Sequence, residues 1–247
     1  MAGVDDVAER IAHARIAGRL LDASAVAIGD DDAYAIQDRL TARRLAAGER
    51  IVGWKRGYTS AAMRLAMGID HANHGPLTDR MVADSPAVLG NGLLQPRVEP
   101  EIALIVGEDG GIDRTVLALE VVDSVWRDYR FTWAHNTADG SSACAAVLER
   151  TANLPALAAG TRVRLTTSTG EGVDGLITGD TMVDPPIGQD AVDALAAELR
   201  MPRLPAGSVV LTGGLTAPLA LPPDGWAQAR LDLEDGRVVE VRVERRK

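Results

Sequence analysis

Gln95–Val106 reads QPRVEPEIALIV, and the alternation inside it decides how the chain folds. In an extended strand, residues two apart share a face. Glu99 and Glu101 therefore project together, while Val98, Ile102 and Leu104 take the other side. Two neighbouring carboxylates repel unless a positive charge lies between them. A hard divalent cation with oxygen ligands meets that need. Glu120, in the second apolar run LALEVVDS, offers a third oxygen. The same alternation also fits a solvated strand face, and spacing alone does not choose between the two. Pro100 donates no ladder hydrogen bond, so it predicts an edge or a bulge rather than a regular central strand.

The 247 residues suit one large domain with a small helical lead-in. With 46% hydrophobic but only 3% aromatic residues, the core must be built from aliphatic side chains. A net charge of −9 disfavours a nucleic-acid partner. No stretch has the length and apolarity to cross a bilayer. No basic segment followed by an apolar one opens the chain, so a cytoplasmic protein is expected. Cys144 is the single cysteine, which excludes an intrachain disulfide and a cysteine-based zinc site. It stands in the small-residue run SSACAAVL, read as helix, and is expected to be a packing residue.

Residues 4–22 and 29–49 read as two amphipathic helices. The second has an acidic first turn, Arg43 and Arg44 near its end, and Gly48 closing it. They form a lead-in, residues 1–50, before a main unit at 51–247. IVGWKRGYT is then a short strand and SAAMRLAMG a short helix, followed by a loop holding His71, Asn73, His74 and Gly75. Strands are expected around 79–83, 97–106, 116–126, 161–167, 173–178, 207–212, 227–233 and 237–244, with helices at 135–149 and 188–200. Short links between strands point to an α+β fold on a mixed or antiparallel sheet.

The segments VGWKRGYTSAAMRLAMGI, HGPLTDRM, VEPEIALIV, ALEVVDS and LPAGSVVLTGGLTAPLAL, in this order along the chain, resemble the 2-keto-4-pentenoate hydratase and 4-oxalocrotonate decarboxylase group. That group belongs to the fumarylacetoacetate hydrolase superfamily, and the resemblance spans roughly residues 5–245. It implies a mixed β-roll, barrel-like core, a Mg²⁺ or Mn²⁺ ion, a small 2-oxo acid substrate and a homo-oligomer. The family's metal ligands fall on Glu99, Glu101 and Glu120. Its lysine falls on Lys55, its acidic loop residue on Asp79, and its serine segment on Ser141 or Ser142. Lys55 and Asp79, with Ser142, are thus the expected catalytic groups. Thr59 and Ser60 stand where a helix N-terminus would aim amides at an anionic substrate. Gly213 and Gly214 are read first as a backbone turn and second as amides near the substrate carboxylate.

The implied activity is a hydro-lyase that adds water to a 2-hydroxy-2,4-dienoate and yields a 4-hydroxy-2-oxo acid. A decarboxylase of a 4-oxalocrotonate-like dicarboxylate shares the same metal site. It would need a second cationic clamp from among Arg56, Arg64, Arg127 and Arg130. An acylpyruvate hydrolase would need a His-Glu pair that the sequence does not display. Two departures keep open a repurposed cyclase or a non-catalytic subunit beside a pathway partner enzyme. Gly140 stands where many relatives have Asn in A-D-N-A-S-S-G, and Asp193 and Ala194 stand where the aromatic of a W-L-A-N helix is usual. Trp126 and Trp133 lie in an aromatic-rich segment that either covers the site or packs beneath it.

Overall fold

The alternation in QPRVEPEIALIV becomes the middle strand of the larger of two sheets. A computed structural model describes residues 3–61, 64–65, 68–90, 92–157, 160–177 and 187–246. Strand β5 (Arg97–Val106) runs antiparallel to β6 (Ile112–Val122) on one side and to β10 (Val209–Gly214) on the other. Beyond β10 come β1 (Ile51–Gly57), parallel to it, and β2 (Asn73–Thr78) at the edge. Beyond β6 come β7 (Ala143–Leu148) and β3 (Val82–Asp84). A short β11 (Leu219–Ala220) pairs with the start of β5. The second sheet orders β4 (Ala87–Leu89), β13 (Val238–Arg245), β12 (Trp226–Asp232), β8 (Arg162–Thr167) and β9 (Gly172–Leu176).

Packing follows the alternation. Val98, Ile102 and Leu104 of β5, with Leu117, Leu119 and Val121 of β6, face Leu165, Ala229 and Val241 of the second sheet in one large core. Helix α4 (Gln189–Glu198) lays Ala191, Val192 and Leu195 against that same core. Helices α1 (Val4–Ile16) and α2 (Asp30–Ala46) form a separate cluster with Val125, Trp126 and Ala138, the last of these on α3 (Trp133–Ala138). Trp126 is fully buried and donates its ring N–H to the His135 carbonyl, so it packs rather than lines a site.

Several local expectations need correcting. Residues 71–83 are not a loop and one strand but two strands, β2 and β3, separated by a turn at 79–81. Residues 135–149 are not one helix: α3 ends at Ala138, and Cys144 lies in strand β7. Ser141 and Ser142, both at positive φ, break the chain between them. Of the helix expected after Ser60, residues 62–63 and 66–67 lie outside the described residues. Of the two alternatives for Pro100, the edge is wrong, since β5 is a central strand, and the bulge is met by the irregular β10 ladder beside it. The Pro100 carbonyl accepts the Leu215 amide on the side where β10 shifts register between Leu211 and Gly214 and β11 takes over. The missing N–H falls where the ladder is already interrupted.

Candidate metal centre

Glu99 and Glu120 are direct partners across the β5–β6 ladder, and Glu101 follows on the same face of β5. Ligand oxygens of the three lie within 4.8 Å of one another. Glu101 is 1% and Glu120 1% exposed, so neither carboxylate is solvated. The neighbours give them little. The Gly213 amide donates to Glu101 Oε2 at 2.9 Å, and the Lys55 ammonium lies 3.3 Å from Glu120 Oε2. Glu101 Oε1 and Glu120 Oε1 are buried without a hydrogen bond among the described residues.

Those orphaned oxygens are the test of whether a cation fits. Buried carboxylate oxygens without donors are costly, and the cost grows when like charges share the space. Burial, and after it the charge of Glu120, pushes Glu99 up to about 7. Burial and then Glu120 and Glu99 hold Glu101 well above the usual carboxylate range. Burial works against the Lys55 ammonium. Glu120, Glu101 and Glu99 together outweigh it and keep its pKa above the ordinary lysine value. Three carboxylates and one ammonium sum to −2, the charge that a divalent ion cancels. An all-oxygen donor set suits Mg²⁺ or Mn²⁺.

The backbone makes room for this arrangement. A Cβ on Gly214 would lie 3.1 Å from Glu99 Oε2, and Gly213 adopts a φ of 116° that turns its amide to Glu101. The positive φ of Gly213 fits the first reading of the pair, a backbone turn. The Gly213 N–H is held by Glu101, and the bare Gly214 leaves space for the Glu99 carboxylate.

Other expected residues separate into two groups. Lys55 joins the trio directly. Ser141 and Ser142 approach the same strand end: a Cβ on Gly57, which shares the face of Lys55, would lie 2.6 Å from Ser141 Oγ. Asp79 is not brought to the site. It pairs with Arg50 at 3.1 Å and accepts the Arg50 amide at 3.1 Å. That places it past the Ile51–Thr78 pair, whereas Lys55 pairs with Gly75 further along the ladder. The hydrogen bonds from Arg50 hold its carboxyl below the usual range, the wrong direction for an acid that must carry a proton. Thr59 contributes its carbonyl to Arg64, at 2.9 Å.

Among the arginines suggested as a second clamp, Arg64 is spent on the Tyr58 and Thr59 carbonyls, and Arg127 and Arg130 are exposed. Arg56 is buried and pairs with Glu198 of α4 at 2.9 Å, with its Nε and Nη1 unpartnered among the described residues. It alternates with Lys55 along β1 and so leaves the strand on the opposite face. Gly140 adopts a φ of 68°, a conformation that Asn also tolerates, so the departure there leaves the turn intact. Cys144 is mostly shielded, and burial pushes its thiol up to about 12, which makes it an inert packing residue. Sequence reasoning gave no role to Tyr58, Asn73 and Asn136, which hydrogen-bond with Ser141, Ser142 and one another next to the end of β1.

No protein-family profile matches the chain. Individual proteins do. A 4-oxalocrotonate decarboxylase of Pseudomonas putida is 31% identical over 206 residues, which are 78% of this chain and 78% of that protein. The chain belongs to this family of 2-keto-4-pentenoate hydratases and 4-oxalocrotonate decarboxylases. Within it, a 2-hydroxypent-2,4-dienoate hydratase of Pseudomonas putida is 40% identical over 129 residues, 47% of this chain. That match spans 58% of the hydratase's own length. The fold is that of the fumarylacetoacetate hydrolase superfamily. A 4-oxalocrotonate decarboxylase from Pseudomonas putida G7, solved with magnesium and adipate, superposes with a TM-score of 0.79. It is 26% identical, and the superposition covers 98% of this chain and 97% of that one. A fumarylpyruvate hydrolase from Pseudomonas aeruginosa, solved with Mn²⁺ and pyruvate, shares the fold at 15% identity and a TM-score of 0.55. Among the described residues, no helix is long and apolar enough to cross a membrane.

Proposed function

We propose that the chain is a divalent-metal-dependent hydro-lyase that hydrates a 2-hydroxy-2,4-dienoate to a 4-hydroxy-2-oxo acid. The observation that supports this most is the buried Glu99, Glu101 and Glu120 trio with its unpartnered oxygens. Those three side chains hold the ion. A divalent ion held there would supply Lewis-acid polarisation of a 2-oxo group. Lys55 keeps its proton and compensates the surplus negative charge of the trio. The Gly213 amide fixes the rotamer of Glu101. Ser141 and Ser142, near Gly57 on the Lys55 face of β1, stand on the substrate side of the trio together with residues 59–60. Residues 1–50 act as a lead-in to a catalytic unit at 51–247, in a cytoplasmic homo-oligomer.

The test is direct. Purified protein with Mg²⁺ and 2-hydroxypenta-2,4-dienoate should consume the dienol absorbance and yield 4-hydroxy-2-oxopentanoate. Persistence of the dienol, with the ion bound, contradicts hydratase activity. The decarboxylase reading has its own support. Another 4-oxalocrotonate decarboxylase, from a Pseudomonas species, aligns over 237 residues at 29% identity, covering 89% of this chain and 91% of that protein. Release of CO₂ from 2-oxohex-3-enedioate, with no hydration of the monocarboxylic dienoate, decides for it.

A further inference from the structure

Beside Lys55 the site has a second wall, made of amides and hydroxyls. It abuts β1 closely: a Cβ on Gly57 would meet Asn73 Oδ1 at 2.2 Å as well as Ser141 Oγ. Its hydrogen bonds run in one direction. Ser142 Oγ donates to Asn136 Oδ1 at 2.8 Å, and Asn136 Nδ2 donates to the Tyr58 hydroxyl at 2.9 Å. Ser141 Oγ donates to Asn73 Oδ1 at 2.9 Å, and Asn73 Nδ2 donates to Thr137 Oγ1 at 2.9 Å. Both serine protons are spent inside the protein. The Tyr58 oxygen ends the first chain as an acceptor. Among the described residues, no acceptor takes its own proton.

Three further facts single out Tyr58. It is 8% exposed, so water does not replace the missing acceptor freely. Its backbone is left-handed, at a φ of 55°, as are Ser141 and Ser142 on the same wall. Left-handed bulky residues are strained, and such strain gathers where a side chain must be aimed. It also follows Lys55 by three residues, and the Lys55 charge reaches its hydroxyl. Burial outweighs that charge and pushes the phenol up to about 12, so it remains a donor throughout the neutral range.

We propose that Tyr58 is the ligand-facing hydroxyl of the site, giving its proton as a hydrogen bond to an oxygen at C4 of the bound 2-oxo acid. That oxygen belongs to the water being added or to the 4-hydroxyl it becomes. The inference rests on the 2-oxo acid reading above. A divalent ion held by the trio would take the oxygens at C1 and C2, and Tyr58 recognises the next one along the chain. Asn136 and Ser142 are then positioning residues, and the Ser142 hydroxyl acts through the amide without touching substrate.

Two ligands that differ only at C4 test this by calorimetric titration of the Mg²⁺-loaded protein: 2-oxopentanoate and 4-hydroxy-2-oxopentanoate. The wild type should prefer the hydroxy acid. Tyr58→Phe keeps the ring and should weaken the hydroxy acid about ten-fold while 2-oxopentanoate changes by less than about two-fold. Asn136→Leu should lose part of the same preference, with Mg²⁺ affinity unchanged in both variants. Retention of the preference in Tyr58→Phe, or equal weakening of both ligands, overturns the assignment. If the Mg²⁺-loaded wild type binds neither acid, the 2-oxo acid reading itself fails and the role of Tyr58 falls with it.

Discussion

Val98, Ile102 and Leu104 leave one face of β5, and Glu99 and Glu101 leave the other. The apolar face is complete by itself: its side chains are fully buried against the second sheet, and every contact is supplied by the chain. The acidic face is incomplete. It has the same burial at Glu101, yet Glu101 Oε1 and Glu120 Oε1 find no donor among the described residues. One strand therefore carries a stability face and a binding face. The difference lies in whether the protein supplies all the partners.

Substitutions on the two faces should separate cleanly. The largest effect belongs to Glu101→Gln, which keeps the shape and the Gly213 contact but removes a charged oxygen. Mg²⁺ affinity, read by calorimetry, should fall by about 100-fold or more, with turnover falling in parallel. Ile102→Ala, on the opposite face, should cost about 2–5 kcal/mol in urea unfolding and leave Mg²⁺ affinity unchanged. If either variant moved the other's readout instead, the division of labour across the strand would be wrong.

A chelator sharpens the contrast through pH. In the fold, Glu99 titrates near 7, and Glu101 is also raised, whereas an unfolded glutamate titrates near 4.3. Between these values the native state holds more protons than the unfolded state. The stability linked to the raised pKa is present below about 4.3 and is lost as pH rises through about 7. In EDTA, the melting temperature of the wild type should therefore drop relative to Glu99→Gln between pH 5 and 8. Saturating Mg²⁺ should remove that drop. The smallest effect is expected at Asp79, a surface partner of Arg50. Asp79→Ala should change kcat/KM by less than about two-fold and leave the melting temperature unchanged.

The shared face of Glu99 and Glu101 is legible because period two is a backbone property, whereas Glu120 joins them through the family resemblance. Once QPRVEPEIALIV is a strand, Glu99 and Glu101 must share a face, and β5 spans the residues expected of it. Ala143–Leu148 was not legible. Alanine-rich runs favour helix locally, yet this one is paired to β6 and β3, and pairing overrode propensity. The clue lay just upstream, in Asp139-Gly140, a turn signal that interrupts the helical pattern. Asp79 was misplaced because a short loop motif does not say which end of a strand it occupies. The amide-hydroxyl wall of Tyr58, Asn73 and Asn136 has no periodic signature at all. It is assembled by tertiary packing from the residue after β1, from β2 and from α3.

Crystals grown with Mn²⁺ and pyruvate, and measured at the manganese edge, test the central claim most directly. A single anomalous peak about 2.1 Å from one oxygen each of Glu99, Glu101 and Glu120 is the expected result. A peak elsewhere, or none with the three carboxylates drawn apart, would contradict it.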